Sequence, residues 1–476
     1  MHRLPRHALF CLGRVSTAHH GYCSLLAILK GRSSPLGITL IVLLVSFGVS
    51  AQPGNDLGRQ LEEAARLIRE NRDAEAEQQL RVILRSSINQ ADALNLLGAI
   101  RAKEGRFDEA EELFIRSVRS DGRLTGARLN LAQLYQLKGR PDKSIRELNE
   151  VLRIDPNSAG VLDKLAGLLL TQNRHDEFIE LLEQTEGSIP PSLSLLISLG
   201  DVYLEKKNAV RAEETYLRVL KQQSEHADAI LGLAQVAQLR GDSKTASFYL
   251  LRAKQSVANS PETLYRFALV AWKASHYEDA NAALVQAVKL RPNEAAYLIA
   301  LGTTWLKKPD LIEAEQAFRR ALQAQSGNPL AQMYLGFTLL QQKKYPEARE
   351  LLEKSLQADN SVPETFYYLG LIAQDGNEDE RAIELFKKAS QLLPTYAEAH
   401  VALGSAYLKV KDYPRAQSEL ELAVKLNPHE TKAHYQLAVL YARLKNPERA
   451  REQMQIVERL RNEARAKKGA ENNSIP

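Results

Sequence analysis

Residues 397–430 read AEAHVALGSAYLKVKDYPRAQSELELAVKLNPHE, and this stretch decides the fold. Apolar and small residues fall at Val401, Leu403, Gly404, Ala406, Tyr407 and Leu408, then at Ala416, Leu420, Ala423 and Val424. Both runs have helical spacing, and Lys411-Asp412-Tyr413-Pro414 breaks them apart. The pattern predicts two short amphipathic helices joined by a turn. Gly404 and Ala416 stand where the two helices meet, and a large side chain at either place would hold the backbones apart.

Shifting the frame by 34 residues in either direction recovers the same unit twelve times without an insertion. The eighth place holds Ala64, Gly98, Ala132, Ala166, Gly200, Ala234, Ala268, Gly302, Gly336, Gly370, Gly404 and Ala438. The twentieth holds alanine in ten copies, Ser144 in the third and Phe178 in the fourth. A 34-residue helix-turn-helix period with Leu403-Gly404, Tyr407, Ala416, Leu420, Ala423 and Pro428 resembles the tetratricopeptide repeat (TPR) family. The resemblance covers residues 57–464. It implies an all-α, right-handed superhelical solenoid of about twelve repeats, with the first helix of each unit lining an inner surface.

At 476 residues an ordinary globular chain would divide into two or three domains, whereas a repeat array grows by stacking each unit on its neighbours. The formal charge of +5 is confined to the start of the chain. Residues 1–51 contain Arg3, Arg6, Arg14, Lys30 and Arg32 and no acid, which leaves bases and acids balanced in the remainder. No broad basic field remains to attract nucleic acid. Cys11 and Cys23 also lie in this leader, so the array can hold neither a disulfide nor a cysteine-ligated metal. Leu36 to Ala51, LGITLIVLLVSFGVSA, has the length of a secretory apolar segment and ends in Val49-Ser50-Ala51, a spacing of small residues suited to signal peptidase. Residues 1–51 are therefore expected to be a signal peptide or an N-terminal membrane anchor, with a linker at 52–56. Export follows, to the periplasm or beyond in a bacterium, with a membrane contact only through residues 36–51 if they are retained.

Within the array, repeat four (159–192) departs from the pattern. Phe178 faces Ala166 where alanine is usual, and a local widening of the helix pair is expected. The last repeat ends in an increasingly charged helix, from Glu448 to about Ala466, with residues 465–476 expected to form a tail.

The resemblance places the second, fifth, sixth, ninth, twelfth and thirteenth residues of each unit on the inner surface. Early units are polar there (Asp92, Asn95, Asn130, Gln133, Asp163, Asp201, Gln235). Units seven to ten carry Tyr265, Trp272, Met333, Tyr334, Phe337, Tyr367 and Tyr368, with Arg266 and Lys273 nearby. Aromatic rings offer contact area at little entropic cost, and arginine grips carboxylates, a combination that suits a peptide segment. These nine residues are the candidate partner-binding site, within a groove over residues 261–375. The fifth place holds no lysine in any unit, so the two-carboxylate clamp of chaperone-binding relatives is not expected. Asn130 alone occupies the sixth place, so neither is the asparagine ladder of the sugar-transferase relatives. His400 and His434 recur at one place in adjacent units and read as polar substitutions for a large residue. No nucleophile elbow, phosphate loop or His-Glu-x-x-His helix is present. The sequence therefore predicts a non-enzymatic scaffold without cofactor or metal, holding proteins or peptide segments. The alternative is a bridging component of a cell-envelope assembly such as a polysaccharide-export or secretion system.

Overall fold

The computed structural model describes residues 56–257, 260–307 and 310–472. The leader and residues 52–55 of the linker therefore lie outside the described residues, and Asp56 already belongs to the first helix. These residues form 24 helices, divided into two compact units between Asp242 and Ser243, inside repeat six. The first unit holds α1 (Asp56–Arg69), α2 (Asp73–Ser86), α3 (Ala91–Lys103), α4 (Phe107–Ser120), α5 (Thr125–Leu137), α6 (Pro141–Ile154), α7 (Ala159–Thr171), α8 (His175–Thr185), α9 (Leu193–Glu205), α10 (Ala209–Gln222) and α11 (Ala227–Leu239). The second holds α12 (Ser243–Lys254), α13 (Pro261–Lys273), α14 (Tyr277–Leu290), α15 (Ala295–Lys307), α16 (Leu311–Ala324), α17 (Pro329–Gln341), α18 (Tyr345–Ala358), α19 (Pro363–Asp375), α20 (Asp379–Leu392), α21 (Ala397–Lys409), α22 (Tyr413–Leu426), α23 (Thr431–Arg443) and α24 (Pro447–Asn472). From α3 onward every first helix fills places one to thirteen of its repeat.

The turn between paired helices is built the same way throughout. The fifteenth residue has positive φ at Asn71, Gly105, Gly139, Asn173, Lys207, Gly241, Ser275, Lys343, Asn377, Lys411 and Lys445. Its neighbour's amide then reaches back five residues, as in Arg106 N–H to the Arg101 carbonyl at 2.9 Å and Asp412 N–H to Tyr407 at 2.9 Å. This is the left-handed closure that satisfies the last carbonyls of a helix. Proline starts the next helix at Pro141, Pro346, Pro414 and Pro447, where no amide is needed. Pro309 lies outside the described residues.

Packing follows the small residues. Within each compact unit the two helices of a repeat touch each other, and most second helices, with several first helices, touch the first helix of the next repeat, giving stacked pairs. The second helices bury one narrow face, such as Ala348, Leu352 and Ser355 of α18. The first helices are covered nearly all round, and α17 buries every residue from Ala331 to Leu340. Wherever an aromatic ring occupies the twenty-fourth place, glycine occupies the eighth. A methyl group built on Gly98, Gly200, Gly302 or Gly370 would lie 2.7, 2.5, 2.5 or 2.5 Å from Phe114, Tyr216, Phe318 or Phe386. Tyr216 is also flanked by Gly232 of the following repeat, and its hydroxyl donates to Asp201 at 2.5 Å.

Repeat four shows the expected widening. Phe178 is wholly buried, α8 is the shortest helix, and α7 and α8 touch more sparsely than the pairs on either side. The C-terminus differs from expectation, because α24 runs through Asn472 and residues 465–472 belong to it rather than to a tail. The segment is rich in alanine, lysine, arginine and glutamate, which favour helix, and contains no proline to stop it.

Charge also links neighbouring repeats. Arg101 of α3 is almost fully buried and forms a two-pronged pair with Glu77 of α2, with Glu104 at 2.9 Å. The Arg101 hydrogen bonds hold Glu77 down at a pKa of about 2. A carboxylate depressed in the folded state contributes its full stabilisation above its unfolded pKa, and loses it as pH falls towards the folded value. Glu77→Gln should therefore cost about 2 kcal/mol at pH 7, Glu104 still serving Arg101. The deficit should shrink between pH 4.5 and 2, as read by urea unfolding across that window; a constant deficit would show that Glu77 is not the titrating group.

Candidate functional site

The second unit carries the candidate residues, and its first helices decide their surroundings. Residues five, six and nine of a first helix face a helix of a neighbouring repeat or the second helix and chain end of their own, so large rings there meet one another. The Tyr265 ring lies 4.9 Å from Tyr297, Phe337 lies 4.7 Å from Tyr368, and Tyr334 stacks on Phe318 at 5.5 Å. Tyr367 packs on Tyr396 at 5.3 Å, Tyr368 at 5.7 Å and Phe386 at 5.9 Å. These rings stitch repeats seven to ten together. Tyr265, Met333, Tyr334, Phe337, Tyr367 and Tyr368 are accordingly buried, and they contribute core packing as well as any contact surface.

The other three candidates sit nearer to solvent. Arg266 is half-buried; Trp272 is half-buried with its ring edge-on to Tyr277 at 4.9 Å; Lys273 is exposed. Although Lys273 reaches solvent, the protein around it pulls its ammonium below the ordinary lysine pKa. Exposed Lys432 of α23 is lowered by the same cause. The two lysines occupy the thirteenth and second places of their repeats, both assigned to the inner surface by the resemblance.

Burial governs the tyrosines. It raises the hydroxyl pKa of Tyr265 and Tyr367, brings Tyr297 up to about 12, and lifts Tyr368 and Tyr396 well above the usual value. Tyr297, Tyr396, Glu364 and Glu398 escaped the sequence reading. Tyr396 ends its repeat, outside the places assigned to the inner surface, whereas Glu364 and Glu398 recur at the second place and could have been found there.

Of the polar positions in the early units, Gln133, Asp163, Asp201 and Gln235 are half-buried and the other three are covered. Asp92, Asn95 and Asn130 are buried, and the Asn130 amide donates to Asn95 of the preceding repeat at 2.9 Å. His400 and His434 are buried and act as ties between elements. Each meets a carbonyl of the preceding repeat, Pro394 at 3.1 Å and Pro428 at 3.0 Å, and a side chain of its own second helix, Glu419 at 2.6 Å and Gln453 at 2.7 Å. Among the described residues no three His, Cys, Asp or Glu side chains gather as a metal site, and no helix is long and apolar enough to cross a membrane.

Sequence profiles of the tetratricopeptide repeat match residues 89–157, 265–329, 306–374 and 401–464, together about half of the chain. The chain belongs to the tetratricopeptide repeat family, whose members are generally protein-binding scaffolds rather than catalysts. It is 25% identical over 257 residues to cellulose synthase operon protein C of Xanthomonas axonopodis pv. citri (strain 306). That match takes in 54% of this chain and 15% of the relative, so the chain spans a small part of the relative's length. Among solved structures, the Cut9–Hcn1 hetero-tetramer of APC/C is similar at 16% identity and TM-score 0.41, over 80% of this chain and 96% of that one. Yeast Tom70 is similar at 15% identity and TM-score 0.40, over 86% and 96% of the two chains. PilF of Pseudomonas aeruginosa matches at 20% identity and TM-score 0.39, over 44% and 93%.

Proposed function

We propose that this chain is a non-enzymatic scaffold that holds a partner protein outside the cytoplasm, through the first-helix surface of repeats seven to ten. The observation carrying this reading is that Arg266, Trp272 and Lys273 of α13 reach solvent at places the family assigns to the inner surface, on a helix whose Tyr265 and Phe267 are buried. An exposed cation beside an aromatic edge on a rigid floor suits an extended segment, because little of the site must be ordered on binding. The buried rings supply that rigidity, so truncating them would damage the fold and the site together. Exposed groups make the cleaner test. Trp272→Ala with Lys273→Glu should lower partner capture from the extracytoplasmic fraction at least tenfold while leaving the circular dichroism spectrum unchanged. Undiminished capture would count against this surface.

The apolar run at residues 36–51 supports the extracytoplasmic setting, in the periplasm or outside the cell in a bacterium, with anchoring if the run is retained. A phosphatase fused after residue 60, active only once exported, would contradict this by staying inactive. The likeness to cellulose synthase operon protein C favours a second reading, in which the array bridges parts of a polysaccharide-producing envelope assembly. A segment-binding scaffold retains short peptides from its partner, whereas a bridge requires the large folded partners intact.

A further inference from the structure

Each second helix turns one stripe away from the core, at the eighteenth, twenty-second and twenty-fifth places, a spacing that keeps the three side chains on one face. In repeats nine to twelve this stripe carries no large apolar residue. In repeats six to eight it carries Phe248 and Leu251 on α12, Val285 on α14 and Ile312 on α16, which are 61%, 67%, 46% and 68% exposed. Apolar groups gathered on consecutive helices mark a contact surface. At the far end of the same row, an open crevice of about 360 Å³ lies between α16 and α18. Buried Leu335 of α17 floors it, Leu322 and Leu351 form its walls, and Arg319, Glu347 and Glu350 form its rim. Arg319 is taken by Glu347 at 2.6 Å and Glu315 at 2.8 Å, so the rim towards α18 is acidic. Exposed Lys244 stands one turn before Phe248 at the other end. The face thus has a projecting, basic end and a hollow, acidic end.

We propose that this outer face pairs with the same face of a second copy of the chain, Phe248 of each entering the crevice of the other. A two-fold axis running between α14 and α16, parallel to them, sets α12 of each copy over α18 of the other and α14 over α16. Lys244 then approaches Glu350, and Val285 and Ile312 meet near the axis. Glu350 also holds Lys354 at 2.6 Å, an exposed pair that water leaves weak, so it can turn to Lys244. A head-to-tail contact would leave one Phe248 and one crevice open, whereas the two-fold closes both. Four second helices, each about 20 Å long, give each copy a face on the order of the 800 Å² that stable pairs cover. An anionic lipid surface would accept the apolar stripe but be opposed by Glu347, Glu350 and Glu353 beside it. The pairing uses second helices and leaves the first-helix surface free.

The test is sedimentation velocity of the full chain over a concentration series, which should show a monomer–dimer equilibrium. Phe248→Ser with Leu251→Ser removes the projecting side chains, and Leu351→Lys puts a charge into the crevice. Each of these variants alone should dimerise at least tenfold more weakly. An equal mixture of the two should regain a dimer, because one unaltered Phe248 still meets one unaltered crevice. Should Leu351→Lys fold poorly, surface charges give the same answer: Lys244→Glu or Glu350→Lys alone should weaken the dimer, and both in one chain should restore it. A full chain that stays monomeric throughout overturns the proposal, as does a dimer that Phe248→Ser with Leu251→Ser leaves intact. Loss in both variants with no recovery in their mixture overturns the reciprocal pairing.

Discussion

Gly302→Ala will destabilise the second unit by about 2–3 kcal/mol, and adding Phe318→Leu will recover most of that loss. The added methyl group would lie 2.5 Å from the Phe318 ring, which is wholly buried and stacked on Tyr334. The ring has no solvent side to yield towards, so the helices must part or Phe318 must leave its rotamer. Leucine at the twenty-fourth place answers alanine at the eighth elsewhere in the chain, as in Ala132 with Leu148 and Ala268 with Leu284. Phe318→Leu alone should cost about 1–2 kcal/mol for the space it opens. Urea unfolding of the four chains gives the coupling energy. Simple additivity would show that glycine and ring are not matched to each other.

Phe178→Ala in repeat four will cost about 3–5 kcal/mol, although it installs the residue that ten other repeats carry. Phe178 is buried together with Leu181 and Leu182 on the short helix α8, and α7 and α8 stand apart around it. α7 is also held by α6 in the stack, so removing the ring leaves a cavity instead of drawing the pair together. Repeat arrays unfold unit by unit, and amide exchange should quicken first within residues 159–190. A loss below about 1 kcal/mol would mean that the pair closes freely and that Phe178 itself sets the spacing.

Helix boundaries were largely legible. Fixed recurrence of small residues placed the first helices, and proline marked the start of several second helices. Position fifteen was less so, since Lys207, Lys343, Lys411 and Lys445 adopt positive φ where glycine would be the recognisable signal. The turn is imposed there by closure of one helix against the next, which overrides local preference. The link between an aromatic at place twenty-four and glycine at place eight was present in the letters. It acquires meaning only with the distance between ring and backbone.

By itself the sequence determined an all-α chain of repeated helix pairs, because a strict period of small and apolar residues admits one way of covering both helices of every unit. Only the tertiary structure decided what lies against each face. Periodicity puts Tyr334, Phe337, Tyr367 and Tyr368 on a given side of a helix, and it is silent about the ring arriving there from the next repeat. Burial depends on that neighbour, so the aromatic residues proved to join repeats, and the buried hydroxyls of Tyr368 and Tyr396, which no hydrogen bond answers, emerged only when the repeats were stacked.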